Sequence, residues 1–255
     1  MVPPPLPATL ITGASAGLGA EFARQCRARG DALVLVARRR DRLETLADEL
    51  GGSVHLIAAD LAASGAAARI VDEAAGLGLT VETLINNAGF GLAGPFAELA
   101  CQRQREMIDL NVGALTEIAR LLLPAMLAQR RGFILNVAST AAFQPGPGMA
   151  VYYATKAYVL SFTEALHQEL KGSGIKVSAL CPGPTATEFG DVAGVTSQKF
   201  TALAADAKSV VAAGLTGLDR NQAVVIPGLM NKVGAQSNRF FPRAMMRRIT
   251  ASLKL

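Results

Sequence analysis

Tyr152 and Lys156 lie four residues apart in the run Ser139–Lys156, STAAFQPGPGMAVYYATK. On a helix that spacing puts both side chains on one face, one turn apart. A phenol beside an ammonium is expected to ionise more easily, because the positive charge favours phenolate. Such a group can give and take a proton near neutral pH. Ser139 brings a hydroxyl into the same stretch. Taken alone, the pair is more often the aromatic and the lysine of an ordinary amphipathic helix, because that spacing is common, so the decision rests on what surrounds it. Tyr153 lies three residues from Lys156 and competes for the same role.

The elements around this stretch alternate. Apolar runs at Ala8–Thr12, Ala32–Ala37, Val54–Ala59, Thr83–Asn86, Phe133–Ala138, Ile175–Leu180 and Ala223–Ile226 read as strands. Continuous apolar character without alternation is expected of strands covered on both faces. Between them lie helical stretches at Gly17–Arg29, Asp41–Leu50, about Ala63–Ala75, around Pro95–Leu110, Val112–Arg130 and about Val151–Lys171. Strands separated by helices predict an α/β fold of three layers, a doubly wound, seven-stranded parallel sheet in a single domain spanning residues 1–255. The stretch 184–217 is rich in small residues and irregular, and is expected to form a lid over the site. A basic amphipathic helix is expected over about residues 229–252, with Phe241, Met245 and Ile249 on one stripe and Arg239, Arg243 and Arg247 on another.

The first strand runs into Thr12-Gly13-Ala14-Ser15-Ala16-Gly17-Leu18-Gly19, which opens the first helix. Strand, glycine turn and helix in that order form a phosphate cradle. Gly13 permits the turn, Gly17 lets backbone approach a pyrophosphate, and Gly19 lets helix and sheet pack closely. The helix N-terminus then offers free N–H groups to the phosphates. The second strand ends in Arg38-Arg39-Arg40, with its first acid at Asp41. A carboxylate at the strand end would hold the ribose 2′-hydroxyl of NAD, whereas arginine forks suit a 2′-phosphate. The expected cofactor is NADP(H), read by Arg38 and Arg39 with help from Ser15.

Composition narrows the alternatives. Apolar residues make up 51% of the 255 and charged residues 18%, which excludes a disordered chain. Cys26, Cys101 and Cys181 have neither disulfide nor metal spacing, and His55 and His167 stand apart from them, so no metal site is expected. The same usage fits a reduced, cytoplasmic setting. No signal-peptide pattern opens the chain, and no transmembrane helix is expected. The net charge is +5, but seven basic residues and no acidic one lie from Arg220 onward, leaving 18 basic against 20 acidic before it. Without a nucleic-acid motif, this tail reads as a solvated or subunit-contact face ahead of a peripheral membrane contact, and nucleic acid is not an expected partner.

These motifs, taken in order, resemble the short-chain dehydrogenase/reductase family in its compact single-domain branch. The resemblance runs from Thr12 to about Gly228. It rests on TGASAGLG at Thr12–Gly19, Asp60-Leu61, NNAG at Asn86–Gly89, Asn111 in LNVG, Ser139, the Tyr152/Lys156 pair and PGPTAT at Pro182–Thr187. It implies that Tyr152 protonates a carbonyl oxygen, that Ser139 hydrogen-bonds that oxygen, and that Lys156 holds the nicotinamide ribose and lowers the tyrosine pKa. Asn111 would hold a water in a proton relay to Lys156. Asp60 and Leu61 would border the adenine. Asn87, with Ala88 and Gly89, would face the adenosine ribose, and Thr185 and Thr187, after Pro182 and Gly183, the carboxamide. The four-residue spacing favours Tyr152 over Tyr153, and Cys181 is read as structural.

The expected pocket wall is apolar: Phe90, Phe143, Met149 and Pro184, with no arginine to clamp a carboxylate. A neutral ketone or aldehyde is therefore the expected small-molecule substrate, reduced with NADPH or formed in the reverse alcohol oxidation. A 3-oxoacyl thioester is the second enzymatic reading. A non-catalytic dinucleotide-binding module is the reading from another class, opposed by the complete set Asn111, Ser139, Tyr152 and Lys156. The resemblance also implies a homo-oligomer, a dimer or tetramer built through the helices carrying Asn111 and Tyr152.

Overall fold

In the computed structural model, which describes residues 5–195, 204–237 and 240–252, the apolar runs form β1 (Leu6–Thr12), β2 (Ala32–Ala37), β3 (Val54–Ala58), β4 (Leu79–Asn86), β5 (Gly132–Val137), β6 (Ile175–Leu180) and β7 (Val224–Val225). They form one parallel sheet in the order β3-β2-β1-β4-β5-β6-β7. The expected doubly wound sheet is present. The chain moves outward from β1 to β3, then crosses back to lay β4 on the other side of β1. At that reversal a crevice opens beyond the carboxyl ends of the strands.

Successive strand residues face opposite layers. Leu10, Val34, Leu84 and Ile134 pack in one core with α3 (Ala66–Gly76) and α5 (Leu115–Gln129). Ile11, Leu35, Ile85 and Leu135 pack in the other with α1 (Gly17–Ala28) and α2 (Arg40–Leu50). The strand β2 has all six residues buried, which accounts for its unbroken apolar run.

Several expectations change. The two helices read near Leu110 are continuous: α4 (Cys101–Ile108) passes through a π-turn (Asp109–Ala114) into α5. The wide turn rotates Asn111 into the interior. By length and composition the run Cys101–Gln129 could cross a membrane, which the sequence reading did not anticipate. Its stripe Leu115, Ile118, Ala119, Leu122 and Met126 is buried in the protein's own core.

The stretch 184–217, expected to be irregular, is partly a packed helix. Residues 207–217 belong to a core helix, α8 (Ala207–Asp219), whose Val210, Val211, Leu215 and Leu218 are buried against β5 and β6. Residues 196–203 of the expected lid lie outside the described residues. Of the remainder, 189–193 form a short helix, α7 (Phe189–Ala193).

The single helix expected over 229–252 is two, α9 (Leu229–Ser237) and α10 (Arg243–Ser252), with Pro242 between them. The face that packs is also displaced by one residue. Met246 and Thr250 are buried, and the Thr250 hydroxyl donates to Pro145 O at 2.9 Å, while Phe241, Met245 and Ile249 are exposed. Arg239 lies outside the described residues. Neither helix boundary nor face could be read from apolar spacing alone, because the hydroxyl of Thr250 beside the buried Met246 sets which face packs.

A polar chain that the sequence did not announce links the layers. Asn136 is fully buried on β5; its Oδ1 accepts from Asn86 Nδ2 on β4 at 3.0 Å. Its Nδ2 donates to Thr163 Oγ1 at 3.0 Å on α6 (Ala150–Glu169). Thr163 in turn donates to Val159 O. Asn136→Leu is expected to destabilise the fold by about 2–4 kcal/mol, because buried partners lose their hydrogen bonds together. Urea unfolding measures it, and a midpoint unchanged from the wild type would refute the role.

Candidate active site

The first glycine turn is shaped by contacts that admit no side chain. A Cβ on Gly19 would lie 2.1 Å from Gly13 O, so α1 could not pack on the turn. Gly13 has φ +68°, and a Cβ there would meet Ala88 Cα at 2.9 Å. Thr12 staples this turn to the next: its Oγ1 accepts from the backbone N–H groups of Asn87 and Ala88, both at 3.0 Å. Asn87 Nδ2 donates back to Thr12 O at 2.9 Å. The NNAG turn thus holds the glycine turn as well as facing the crevice.

A cavity of about 540 Å³ runs along this crevice. Ser15, Gly17, Arg38, Arg39 and Asp60 line one stretch of it, with Thr187 facing Gly17, and Ser139, Tyr152, Lys156 and Thr185 line another. Every residue expected to touch the cofactor lines it except Gly19, whose part is packing. Among the described residues Arg38 makes no side-chain hydrogen bond or ion pair. Arg39 bonds Ser15 Oγ at 3.3 Å and Glu188 Oε2 at 3.3 Å.

The residues fit a dinucleotide. Gly17 and the start of α1 leave space for backbone to meet a phosphate, and a Cβ at Gly17 would crowd Thr187 at 3.2 Å across the groove. Lys156 is 95% buried, and Val137 O, at 2.8 Å, is its single hydrogen-bond acceptor among the described residues. An ammonium has three donors. The two left over at the cavity wall suit the hydroxyls of a ribose.

Strand β5 ends at Val137 and delivers Ser139, which caps a 3₁₀ turn (Thr140–Phe143) by accepting from Ala141 N at 3.1 Å. Helix α6 carries Tyr152 and Lys156 on its inward face. Tyr152 is 8% exposed, its ring edge-on to Tyr153 at 6.2 Å and 5.3 Å from Phe189. Lys156 Nζ lies 5.9 Å from the Tyr152 ring centre.

The electrostatics depart from the simple expectation. Burial pushes the Tyr152 phenol well above its ordinary value; the hydrogen bond with Ser139 pulls it down and Tyr153 pushes it further up. Burial lowers Lys156 to about 8, with Cys181 opposing weakly. The expected depression of the phenol by the lysine is absent because Nζ points to Val137 O and desolvation outweighs charge at this distance. Cys181 is buried and pushed up to about 12, again by burial, which leaves it an inert thiol.

Asn111 is buried in the π-turn and tied to its neighbours. Its Nδ2 donates to Phe90 O at 3.0 Å and to Thr155 Oγ1 at 3.1 Å, while Oδ1 accepts from Phe90 N at 3.1 Å. The side-chain amide is thus engaged by three protein hydrogen bonds. It positions Phe90 against α6. A Cβ on Gly89 would lie 2.9 Å from Asn111 Oδ1 and 3.5 Å from Lys156 Nζ, so Gly89 lets these two groups approach.

Beyond Tyr152 the cavity wall is mainly apolar, with Gln144 and Tyr153 among its lining residues. Phe90, Met149 and Pro184 line it as expected, but Phe143 does not. Phe143 turns away into a core of Leu115, Val159 and Leu160. Tyr153, Phe189 and Val192 take its place. Phe189 and Val192 were missed because nothing in the spacing of that segment singles them out. Gly91 makes room for two of these side chains: a Cβ there would strike Met149 Cε and Phe189 Cζ, both at 2.9 Å.

The model of a family described as short chain dehydrogenase matches residues 7–197. Sulfoacetaldehyde reductase from Chromohalobacter salexigens is 42% identical over 187 residues, 70% of this chain and 72% of that one. A short-chain dehydrogenase from Sphingobium yanoikuyae, solved in complex with NADPH, superposes with a TM-score of 0.82 at 35% identity, covering 94% of this chain and 95% of that one. The bulky-bulky ketone specific alcohol dehydrogenase from Comamonas testosteroni gives 0.78 at 33% identity, covering 92% and 93%. The match extends through the glycine turn, the sheet reversal and the Tyr152/Lys156 helix, and on it the chain belongs to the short-chain dehydrogenase/reductase family.

Proposed function

We propose that the protein is an NADPH-dependent reductase of neutral, apolar ketones or aldehydes, able to run the reverse alcohol oxidation. The observation that carries this reading is one cavity with arginines and Ser15 at one end and the Ser139/Tyr152 hydroxyls, set in an apolar wall, at the other. NADPH, held along the glycine turn, Arg38, Arg39 and Lys156, supplies the hydride. Negative charge then develops on the carbonyl oxygen, and Ser139 and Tyr152 are the donors aimed at it. Tyr152 carries the proton that reduction consumes. Lys156 holds the ribose hydroxyls, and Asn111 keeps Phe90 and α6 in register.

The wall argues for the substrate class. Phe90, Met149, Tyr153, Phe189 and Val192 surround the space beyond Tyr152. Among the described lining residues the cations are Arg38, Arg39 and Lys156, all at the cofactor groove. A sulfonate such as that of sulfoacetaldehyde would lack a partner at the substrate end. A bulky ketone would find apolar surface on several sides.

A panel of aromatic and alicyclic ketones, sulfoacetaldehyde and a 3-oxoacyl thioester, each with NADPH and NADH, tests the reading. Hydrophobic ketones with NADPH should give the highest kcat/KM. Arg38→Ala should raise the KM for NADPH about tenfold or more, the worth of a charge-assisted hydrogen bond, and change that for NADH little. Equal losses with both cofactors would overturn the cofactor choice, and a clear preference for sulfoacetaldehyde the substrate class.

A further inference from the structure

The segment 187–189 crosses the whole groove. Thr187 faces Gly17 over the phosphate cradle. Phe189 packs its ring 5.3 Å from that of Tyr152. Between them, Glu188 reaches to the far wall, where its carboxylate bridges Arg39 at 3.3 Å and Arg42 at 2.6 Å. The two arginines come from the end of β2 and the first turn of α2, while Glu188 precedes α7, so the bridge spans two separate walls of the cavity. Arg39 also holds Ser15 Oγ, which places the carboxylate where arginine fork and serine hydroxyl converge.

We propose that Glu188 is a strap that occupies the 2′-phosphate site of the ligand-free protein and must yield its arginines when a 2′-phosphorylated dinucleotide binds. The inference rests on the reading of this groove as an NADPH site. A carboxylate and a phosphate cannot share one pair of guanidinium groups without repulsion, so one leaves as the other arrives. The two arginines hold the Glu188 carboxyl below its ordinary range, Arg42 most strongly, so the strap is charged at neutral pH. A cofactor without the 2′-phosphate has nothing to displace it with. Release of Glu188 also frees the segment bearing Phe189, which couples the far end of the cofactor to the ring beside Tyr152. Glu188 thus sets cofactor specificity through competition, and sets how tightly the groove is closed before binding.

Calorimetric titration with 2′,5′-ADP and with 5′-AMP, which differ by the 2′-phosphate, reads the competition without turnover. Glu188→Gln keeps the shape and removes the charge. The variant should bind 2′,5′-ADP about three- to fivefold more tightly than the wild type, the range of an exposed ion pair of up to about 1 kcal/mol. Its affinity for 5′-AMP should change less than about twofold by the same reasoning. A wild type that prefers 2′,5′-ADP, with the preference unmoved by Glu188→Gln, overturns the strap and leaves the cofactor reading standing. A wild type that binds both equally overturns the two together. Equal gains for both ligands overturn the strap, because the effect would then be general electrostatics.

Discussion

Tyr152→Phe is expected to lower kcat at least about a thousandfold while changing NADPH affinity less than about threefold, the loss of a proton donor aimed at a developing oxyanion. The substitution removes one oxygen and keeps the ring. Packing against Tyr153 and Phe189 is preserved, so the fold should hold. Stopped-flow or steady-state kinetics with a hydrophobic ketone measures the first quantity, and fluorescence titration with NADPH the second. Tyr153→Phe is the control. Its ring lies flat under Gly146, where a Cβ would come within 2.3 Å, and it forms wall, so activity should stay within a few-fold. Full turnover by Tyr152→Phe, or an equal collapse in Tyr153→Phe, would remove Tyr152 from the chemistry.

The pH dependence follows from the same burial. With its pKa raised, Tyr152 keeps its proton at neutral pH, and reduction consumes that proton. The reductive rate should therefore persist across neutral pH. The oxidative rate needs the phenolate, so it should rise with pH. A reductive rate that falls between pH 6 and 8, measured at saturating substrate, contradicts a raised phenol.

The parts of this site that were legible in sequence are those fixed by backbone. Gly13, Gly17 and Gly19 follow a buried strand and open a helix, and only that geometry excludes side chains at all three positions. Tyr152 and Lys156 share a helical face because four residues make slightly more than one turn. The presence of seven strands in one parallel, doubly wound sheet followed from the alternation of buried runs with helices. What was illegible depended on contacts between distant segments. Phe143 and Phe189 are both plausible wall residues by type, yet one joins a core and the other the cavity, and only tertiary packing decides. The π-turn at Asp109–Ala114 leaves no mark in apolar spacing, though it decides that Asn111 faces Phe90 and Thr155. The sign of the Tyr152 shift was misread for a related reason. Proximity in sequence argued for charge, whereas depth of burial, a property of the whole fold, set the outcome.

Lys156→Met tests whether that depth is a cost carried for function. The variant should lose turnover by about a hundredfold or more, the scale of a positioned catalytic group, and bind NADPH more weakly, since it lacks the donors facing the ribose. Its ligand-free stability should behave differently from the wild type's. The buried ammonium has its pKa lowered from 10.5 to about 8. Below pH 8 both the folded and unfolded chains hold the proton, and the fold bears the full cost of a buried charge. Between about 8 and 10.5 the folded chain sheds the proton while the unfolded chain keeps it, so unfolding takes up a proton and stability rises with pH. Over that window the gain is on the order of 3 kcal/mol. Wild type minus variant, followed by urea unfolding from pH 7 to 10, isolates this group because other titrations cancel. The difference should climb in favour of the wild type as pH increases. A flat difference would mean that Lys156 is solvated in the ligand-free protein. Lost turnover together with the climbing difference would mark Lys156 as a residue kept against the interest of stability, because a ribose held by anything less polar would not sit over Tyr152.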